Sequence, residues 1–194
     1  ARVLDGFAGT GAIALEALSR GAAAATCIES DRRAVRLIEE NRERCGAVVG
    51  TGIGGFETID DGMEILRTKG PRMVPATSVP MLMPNAAVAA VTKDFGIWGP
   101  GHCVVSACAS GNHSIGEGKR MIEYGHADLV IAGSAETANR PLATSAFRAM
   151  GAMTSKGVSR PFDAERDGFV MGEGAGMAIE DAVWDHSTFS KNRD

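Results

Sequence analysis

Cys103-Val-Val-Ser-Ala-Cys108-Ala-Ser-Gly111 is the stretch on which the reading of this chain turns. Its β-branched run predicts a short strand, the chain turns sharply at Cys108, and a helix is expected to run on towards Tyr124. A residue at such a strand-to-helix turn presents its side chain at the helix N-terminus, the geometry of a nucleophile elbow. The partial positive charge at a helix start lowers a thiol pKa and favours the thiolate. Gly111, Gly116 and Gly118 lie inside the expected helix, and each costs about 1 kcal/mol relative to Ala. They predict a buried helix with neighbours pressed against its backbone. The same pattern also suits an inert, buried cysteine.

Working outward, the 194 residues are enough for one ordinary domain or two small ones. With 44% hydrophobic and 23% charged residues the chain is neither a disordered tail nor a fibrous repeat. The formal charge of −4 excludes a global basic surface, so nucleic acid is not an expected partner. No apolar run reaches the roughly 18 to 20 residues needed to span a bilayer. Cys27, Cys45, Cys103 and Cys108 match no zinc spacing, so no metal site is expected, and reduced thiols in a cytoplasmic protein are the default. Aromatics are only 5% of the chain while Gly reaches 25, so the core must rest on Ala, Val, Ile, Leu and Met. The opening Ala1-Arg-Val-Leu-Asp5 carries no Met and reads as the middle of a strand.

Residues 1–46 predict β-α-β-α. A strand ends at Asp5, Gly6-Phe-Ala-Gly9-Thr-Gly11 turns into a helix over 12–20, and a second strand from Ala24 ends at Glu29. Ser30 is a good N-cap for a second helix, with Gly46 beyond its end. A glycine turn at a helix N-terminus and an acid closing the second strand suit a nucleotide-like ligand, and equally a tight turn with none. Gly50-Thr-Gly52-Ile-Gly-Gly55 satisfies a dinucleotide fingerprint in form. Arg72-Met-Val-Pro75 stands where its acid-terminated second strand should be, which argues against nucleotide binding there. A helix with Phe56, Ile59, Met63 and Leu66 on one face follows that loop.

Three resemblances account for these segments. Asp5-Gly-Phe-Ala-Gly-Thr-Gly-Ala-Ile-Ala-Leu-Glu-Ala-Leu-Ser-Arg-Gly-Ala resembles motif I of RsmD-like small-subunit rRNA guanine-N2 methyltransferases. The resemblance implies that Asp5, Gly9 and Gly11 contact S-adenosylmethionine and that Glu29 binds its ribose. That family's Asn/Asp-Pro-Pro-Tyr/Phe motif has no counterpart, because the chain contains no Pro-Pro dipeptide. Val79-Pro-Met-Leu-Met-Pro-Asn85, the Cys103–Glu117 stretch, Ala127-Asp-Leu-Val-Ile-Ala-Gly133 and Ser159-Arg-Pro-Phe-Asp-Ala-Glu-Arg-Asp-Gly-Phe-Val-Met-Gly-Glu-Gly-Ala-Gly176 resemble FabF-type β-ketoacyl-acyl-carrier-protein synthases, in that family's order and spacing. This implies Cys108 as the acyl-accepting nucleophile, with its backbone N–H as one oxyanion donor. It also implies a segment near the acyl pocket over 162–176, an acyl carrier protein and a homodimer mate as partners, and no cofactor. Ile179 to Asp194 resembles a short stretch of insertion-sequence transposases, and Asp185 and His186 in it are not expected to bind metal.

The expected fold class is therefore α/β, a partial Rossmann-like β-α-β-α unit joined to an incomplete thiolase-like ketosynthase N-terminal half. The expected segments are 1–46, 47–179 and 180–194. The ketosynthase family's two catalytic histidines belong to its C-terminal half. His102, His113, His126 and His186 match neither position, so a complete condensation is not expected. Three readings stay open: a chimeric chain without coherent activity, an acyl-thioester-forming module, and an S-adenosylmethionine-binding module.

Overall fold

The computed structural model describes residues 2–5, 24–27 and 32–181. The helix expected over 12–20, the candidate residues Gly9, Gly11 and Glu29, and the 182–194 tail lie outside the described residues. Strands β1 (Arg2–Asp5) and β2 (Ala24–Cys27) pair in parallel, with Arg2 opposite Ala24 and Asp5 opposite Cys27, in a two-stranded sheet of their own. Helix α1 (Arg32–Glu43) follows.

The main sheet has the order β4-β3-β5-β6, built from β3 (Cys45–Gly50), β4 (Gly101–His102), β5 (Leu129–Glu136) and β6 (Gly174–Asp181). β3 runs parallel to β4 and β5, whereas β6 is antiparallel to β5. Cys45-Gly-Ala-Val-Val-Gly50 contains no charged residue, as a strand covered on both faces requires, and all six residues are buried. Alternation divides them. Cys45, Ala47 and Val49 pack with Val88 of α4 (Ala86–Phe95) and with Ile97. Val48 packs with Met121 of α5 (Ser110–Glu123), Ala127, Val130 and Ala132. Helices thus cover opposite faces of the central strand. Arg44 and Asp128 pair just ahead of β3 and β5, and the hydrogen bond from Arg44 holds the Asp128 carboxyl below its usual range.

Two local details change the picture. Gly46 lies beyond the end of α1 at Glu43, as expected, and is itself a strand residue. A Cβ on it would stand 2.7 Å from Met121 Cε and 3.0 Å from the Pro100 carbonyl oxygen, so the glycine serves close packing of α5. The division placed at residues 46–47 falls inside this buried strand. Likewise the change of character near 176–180 lies within β6, which keeps register until Asp181 stands opposite Leu129. The strand expected at Cys103–Ser106 is the second change. The ladder stops at His102, and the run beyond it is held to β3's exit by Thr51 N–H donating to the Val104 carbonyl at 3.1 Å.

Helices α2 (Phe56–Lys69), α3 (Ser78–Leu82) and α6 (Pro141–Ala149) lie outside the core clusters. On α2, Ile59, Met63 and Leu66 share one face, as their spacing predicts, yet each stays more than 40% exposed. Arg140, just ahead of α6, ties it to the start of α2 through Glu57 at 3.2 Å and through Asp61. Among the described residues no helix is long and apolar enough to cross a membrane.

Candidate active site

The turn that carries Cys108 is built from small residues with unusual backbone. Ser106 has φ −144° and ψ 40°, outside both helix and strand geometry, and Ala107 then takes φ +52°. That region costs an L-residue about 1–2 kcal/mol. A 3-10 turn over Ala107–Ala109 leads directly into α5 at Ser110. The surrounding hydrogen bonds offset the strain. Ser110 Oγ accepts from Ser106 N–H at 2.9 Å. It has the Ala107 carbonyl at 2.7 Å and the Thr51 carbonyl at 2.9 Å as acceptors for its single proton. Ser106 Oγ meets His113 Nδ1 at 2.7 Å. Serines on both sides of Cys108 therefore fold the turn back onto the helix, and the Cys108 side chain is left exposed.

The other described thiols contrast with it. Burial, followed by the charge of Asp128, pushes the Cys45 thiol up. Burial also raises Cys103, against a backbone hydrogen bond from Thr51 that lowers it. Of Cys45, Cys103 and Cys108, the elbow residue alone is exposed to a reagent.

Close packing brings α5 to this position. A Cβ on Gly50 would lie 2.8 Å from the Ser110 carbonyl oxygen, and one on Gly111 would lie 2.9 Å from Ser134 Oγ. Gly118 is buried too. Gly116 departs from the expectation, since its position opens onto empty space.

The glycine loop after β3 has an occupant that sequence reasoning missed. Glu136, the last residue of β5, accepts on Oε2 from Gly52 N–H at 2.8 Å, Ile53 N–H at 3.1 Å and the Thr51 hydroxyl at 3.3 Å. Its Oε1 accepts from Thr137 N–H at 3.1 Å. The donors that a phosphate would need are therefore taken by a carboxylate of the chain itself, which is why Gly50-x-Gly52-x-x-Gly55 is not a nucleotide loop here. An acid at the C-terminal end of a parallel strand, beside a glycine loop, was the available signal. Ser106, Ser110 and His113 were also missed. Ser110 and His113 stand on the first turn of α5, and Ser106 just ahead of the 3-10 turn that leads into it.

Of the remaining candidates, Asp5 closes β1, while Gly9, Gly11 and Glu29 lie outside the described residues. His102 faces Glu117 at 3.9 Å, and His126 stacks edge-on with Tyr124. Among the described residues no three His, Cys, Asp or Glu side chains gather as a metal site. The 159–169 loop encloses an open cavity of about 670 Å³ lined by Pro161, Phe162, Phe169 and two arginines, Arg160 and Arg166. Phe162 itself is fully exposed at φ +63°, and Phe169 packs edge-to-face on Phe147 at 5.2 Å.

This architecture has relatives. A family profile described as "Beta-ketoacyl synthase, N-terminal domain" matches residues 20–179. The 3-oxoacyl-[acyl-carrier-protein] synthase 2 of Vibrio cholerae is 42% identical over 146 residues, covering 73% of this chain and 35% of that protein. Its Staphylococcus aureus counterpart is 40% identical over 149 residues, covering 75% and 37%. Among solved structures, a β-ketoacyl synthase from Burkholderia phymatum superposes with a TM-score of 0.64 at 30% identity, covering 78% of this chain and 38% of that one. A type II PKS ketosynthase, solved with its acyl-carrier protein and bound to the hexaketide, gives 0.66 at 27%, covering 78% and 39%. The chain spans about a third of the length of the curated relatives it matches. The elbow, the mixed sheet and these matches lead to one assignment: the chain belongs to the β-ketoacyl synthase family, matching its N-terminal domain.

Proposed function

We propose that the chain performs the acyl-loading half of a β-ketoacyl-acyl-carrier-protein synthase reaction, on Cys108. The observation that carries this is the exposed thiol in the 3-10 turn that leads into α5, fixed by the positive-φ Ala107 and by Ser110. The Cys108 thiolate attacks the carbonyl carbon of an acyl thioester, and the charge developing on the carbonyl oxygen is met by backbone N–H at the elbow. The tetrahedral adduct collapses with loss of the donor thiolate, which takes up the proton that Cys108 gave. The acyl group is left as a thioester on Sγ. By resemblance the donor is an acyl carrier protein, the 162–176 segment borders the acyl chain, and a second copy of the chain completes the assembly. Condensation with a further unit requires the two histidines that the family carries in its C-terminal half.

Intact-mass spectrometry after incubation with octanoyl-CoA or an octanoyl-acyl carrier protein tests the proposal. A single adduct that maps to Cys108 and vanishes in Cys108→Ala is expected; an unmodified chain ends the reading.

A second reading concerns residues 1–46, where parallel pairing of β1 with β2 fits a β-α-β unit. By resemblance Asp5, Gly9, Gly11 and Glu29 would hold S-adenosylmethionine there. Calorimetric titration decides it, a flat isotherm being the negative result.

A further inference from the structure

We infer that Glu136 is a positioning residue for Cys108, holding the glycine loop on which the elbow rests; the inference builds on Cys108 as the acyl acceptor. β3 and β5 are parallel neighbours with Gly50 opposite Ser134, so their C-terminal ends emerge side by side. The Glu136 carboxylate is half-buried there, and among the described residues it enters no ion pair. Its compensation comes from Gly52 N–H, Ile53 N–H and the Thr51 hydroxyl, all gathered on Oε2. Thr51 Oγ1 in turn accepts from Gly54 N–H at 3.1 Å, which closes the loop on itself. The accepting oxygen of Glu136 thus orders the 51–54 segment from beneath.

That segment grips the elbow at three points. Thr51 N–H donates to Val104, and the Thr51 carbonyl faces Ser110 Oγ at 2.9 Å. A Cβ built on Gly52 would stand 2.9 Å from Glu136 Oε2 and 3.7 Å from Ala107 Cα. Carboxylate, glycine and Ala107 therefore form one stack, and Ala107 is the strained residue immediately before the nucleophile. Strain of this kind persists only where the surroundings over-determine it. Without the carboxylate, Gly52 and Ile53 turn their N–H groups to water, the Ser110–Thr51 contact opens, and Ala107 relaxes to negative φ. Cys108 then leaves the helix N-terminus.

The test uses the full chain with Glu136→Ala, Glu136→Gln and Glu136→Asp. One measurement is the initial rate of Cys108 alkylation by iodoacetamide, mapped by peptide mass spectrometry, with buried Cys45 in the same digest as the gauge of folding. The other is acyl transfer from octanoyl-CoA. Glu136→Ala is expected to slow both by about tenfold or more, since displacements near 1 Å at a reacting group have effects of that order. Glu136→Gln keeps an acceptor oxygen for Gly52 and Ile53 and is expected to stay within about threefold of the parent. Glu136→Asp is one methylene too short to reach both donors and should fall with Ala. If Glu136→Ala exposes Cys45, Glu136→Asp with Cys45 still protected takes its place in the comparison.

Equal rates in all four proteins overturn the inference. So does a Gln variant as slow as Ala, or slowing that merely tracks Cys45 exposure. A parent chain that takes no acyl group while its alkylation rates follow the Glu136 series defeats the acyl-loading reading and leaves the positioning role standing.

Discussion

Gly50→Ala probes both the packing of the sheet and the placement of Cys108. The new Cβ would stand 2.7 Å from Ser114 Oγ, which can rotate aside. It would also stand 2.8 Å from the Ser110 carbonyl oxygen and 2.9 Å from Ser110 Cβ, where ordinary contact begins at 3.4 Å. Ser110 is the first residue of α5 and lies two residues after Cys108, so the helix start must retreat by about half an ångström. Overpacking of this kind costs about 1–3 kcal/mol, offset by roughly 0.5–1 kcal/mol from removing a glycine inside a strand. The net loss centres on about 1.2 kcal/mol and reaches at most about 2.5 kcal/mol. With a urea dependence of about 2 kcal/mol per molar, the unfolding midpoint falls by about 0.6 M. Tryptophan fluorescence reads that midpoint, and alkylation of Cys108 reads the elbow; both should decline together. Gly116→Ala is the matched control, because it lies inside the same helix facing open space and should gain about 1 kcal/mol. If Gly50→Ala unfolds at the parent's midpoint with Cys108 equally reactive, the close approach of α5 to β3 is not what fixes the elbow.

Three further outcomes follow from the same geometry. Ser114 buries its hydroxyl without a partner, so Ser114→Ala should raise stability by about 1 kcal/mol in urea titration; a fall in midpoint contradicts the packing described. The hydrogen bond from Thr154 is the first cause holding the Asp167 carboxyl below 3.8. Its stabilising contribution is present above that value and lost as pH falls through the folded value. In Thr154→Val the NMR titration midpoint of Asp167 should therefore move back up, and an unmoved midpoint refutes the assignment. Burial raises Cys45 above the ordinary thiol value of 9.0, so its contribution is complete below that pH and declines above it. Cys45→Ala should flatten the alkaline limb of the stability curve, and an unchanged limb would assign that loss to other groups.

The turn at Cys108 into α5 was legible in the sequence because its signal is local: a cysteine between small residues and a glycine-bearing helix stand within about twenty consecutive positions. The apolar face of α2 was legible for the same reason, since helical periodicity is written in one segment. What escaped was non-local. Glu136 lies 84 residues from Gly52, and only the parallel register of β3 with β5 brings the two together. The helical pattern placed Gly46 beyond a helix end, where it lies, without showing that it belongs to a buried strand. Tertiary packing against Met121 gave it another role. Cys103–Ser106 had strand composition but not strand pairing, because the chain must leave the ladder early to bring Cys108 round to the start of α5.

The glycine content shows how far composition alone can mislead. Twenty-five glycines and few aromatics suggest a uniformly close-packed chain, yet the described glycines divide into two physical kinds. At Gly46, Gly50 and Gly52 a methyl group would collide with Met121, with the backbone of Ser110, or with the carboxylate that orders the loop. At Gly116, Gly151 and Gly172 it would meet nothing within 4 Å. Glycines elsewhere also meet backbone closely, Gly133 against Gly176 and Gly168 against Thr154 among them; Gly46, Gly50 and Gly52 lie along β3 and its exit, on the path that places Cys108. Position relative to β3, rather than glycine count, therefore decides which glycines the candidate site depends on.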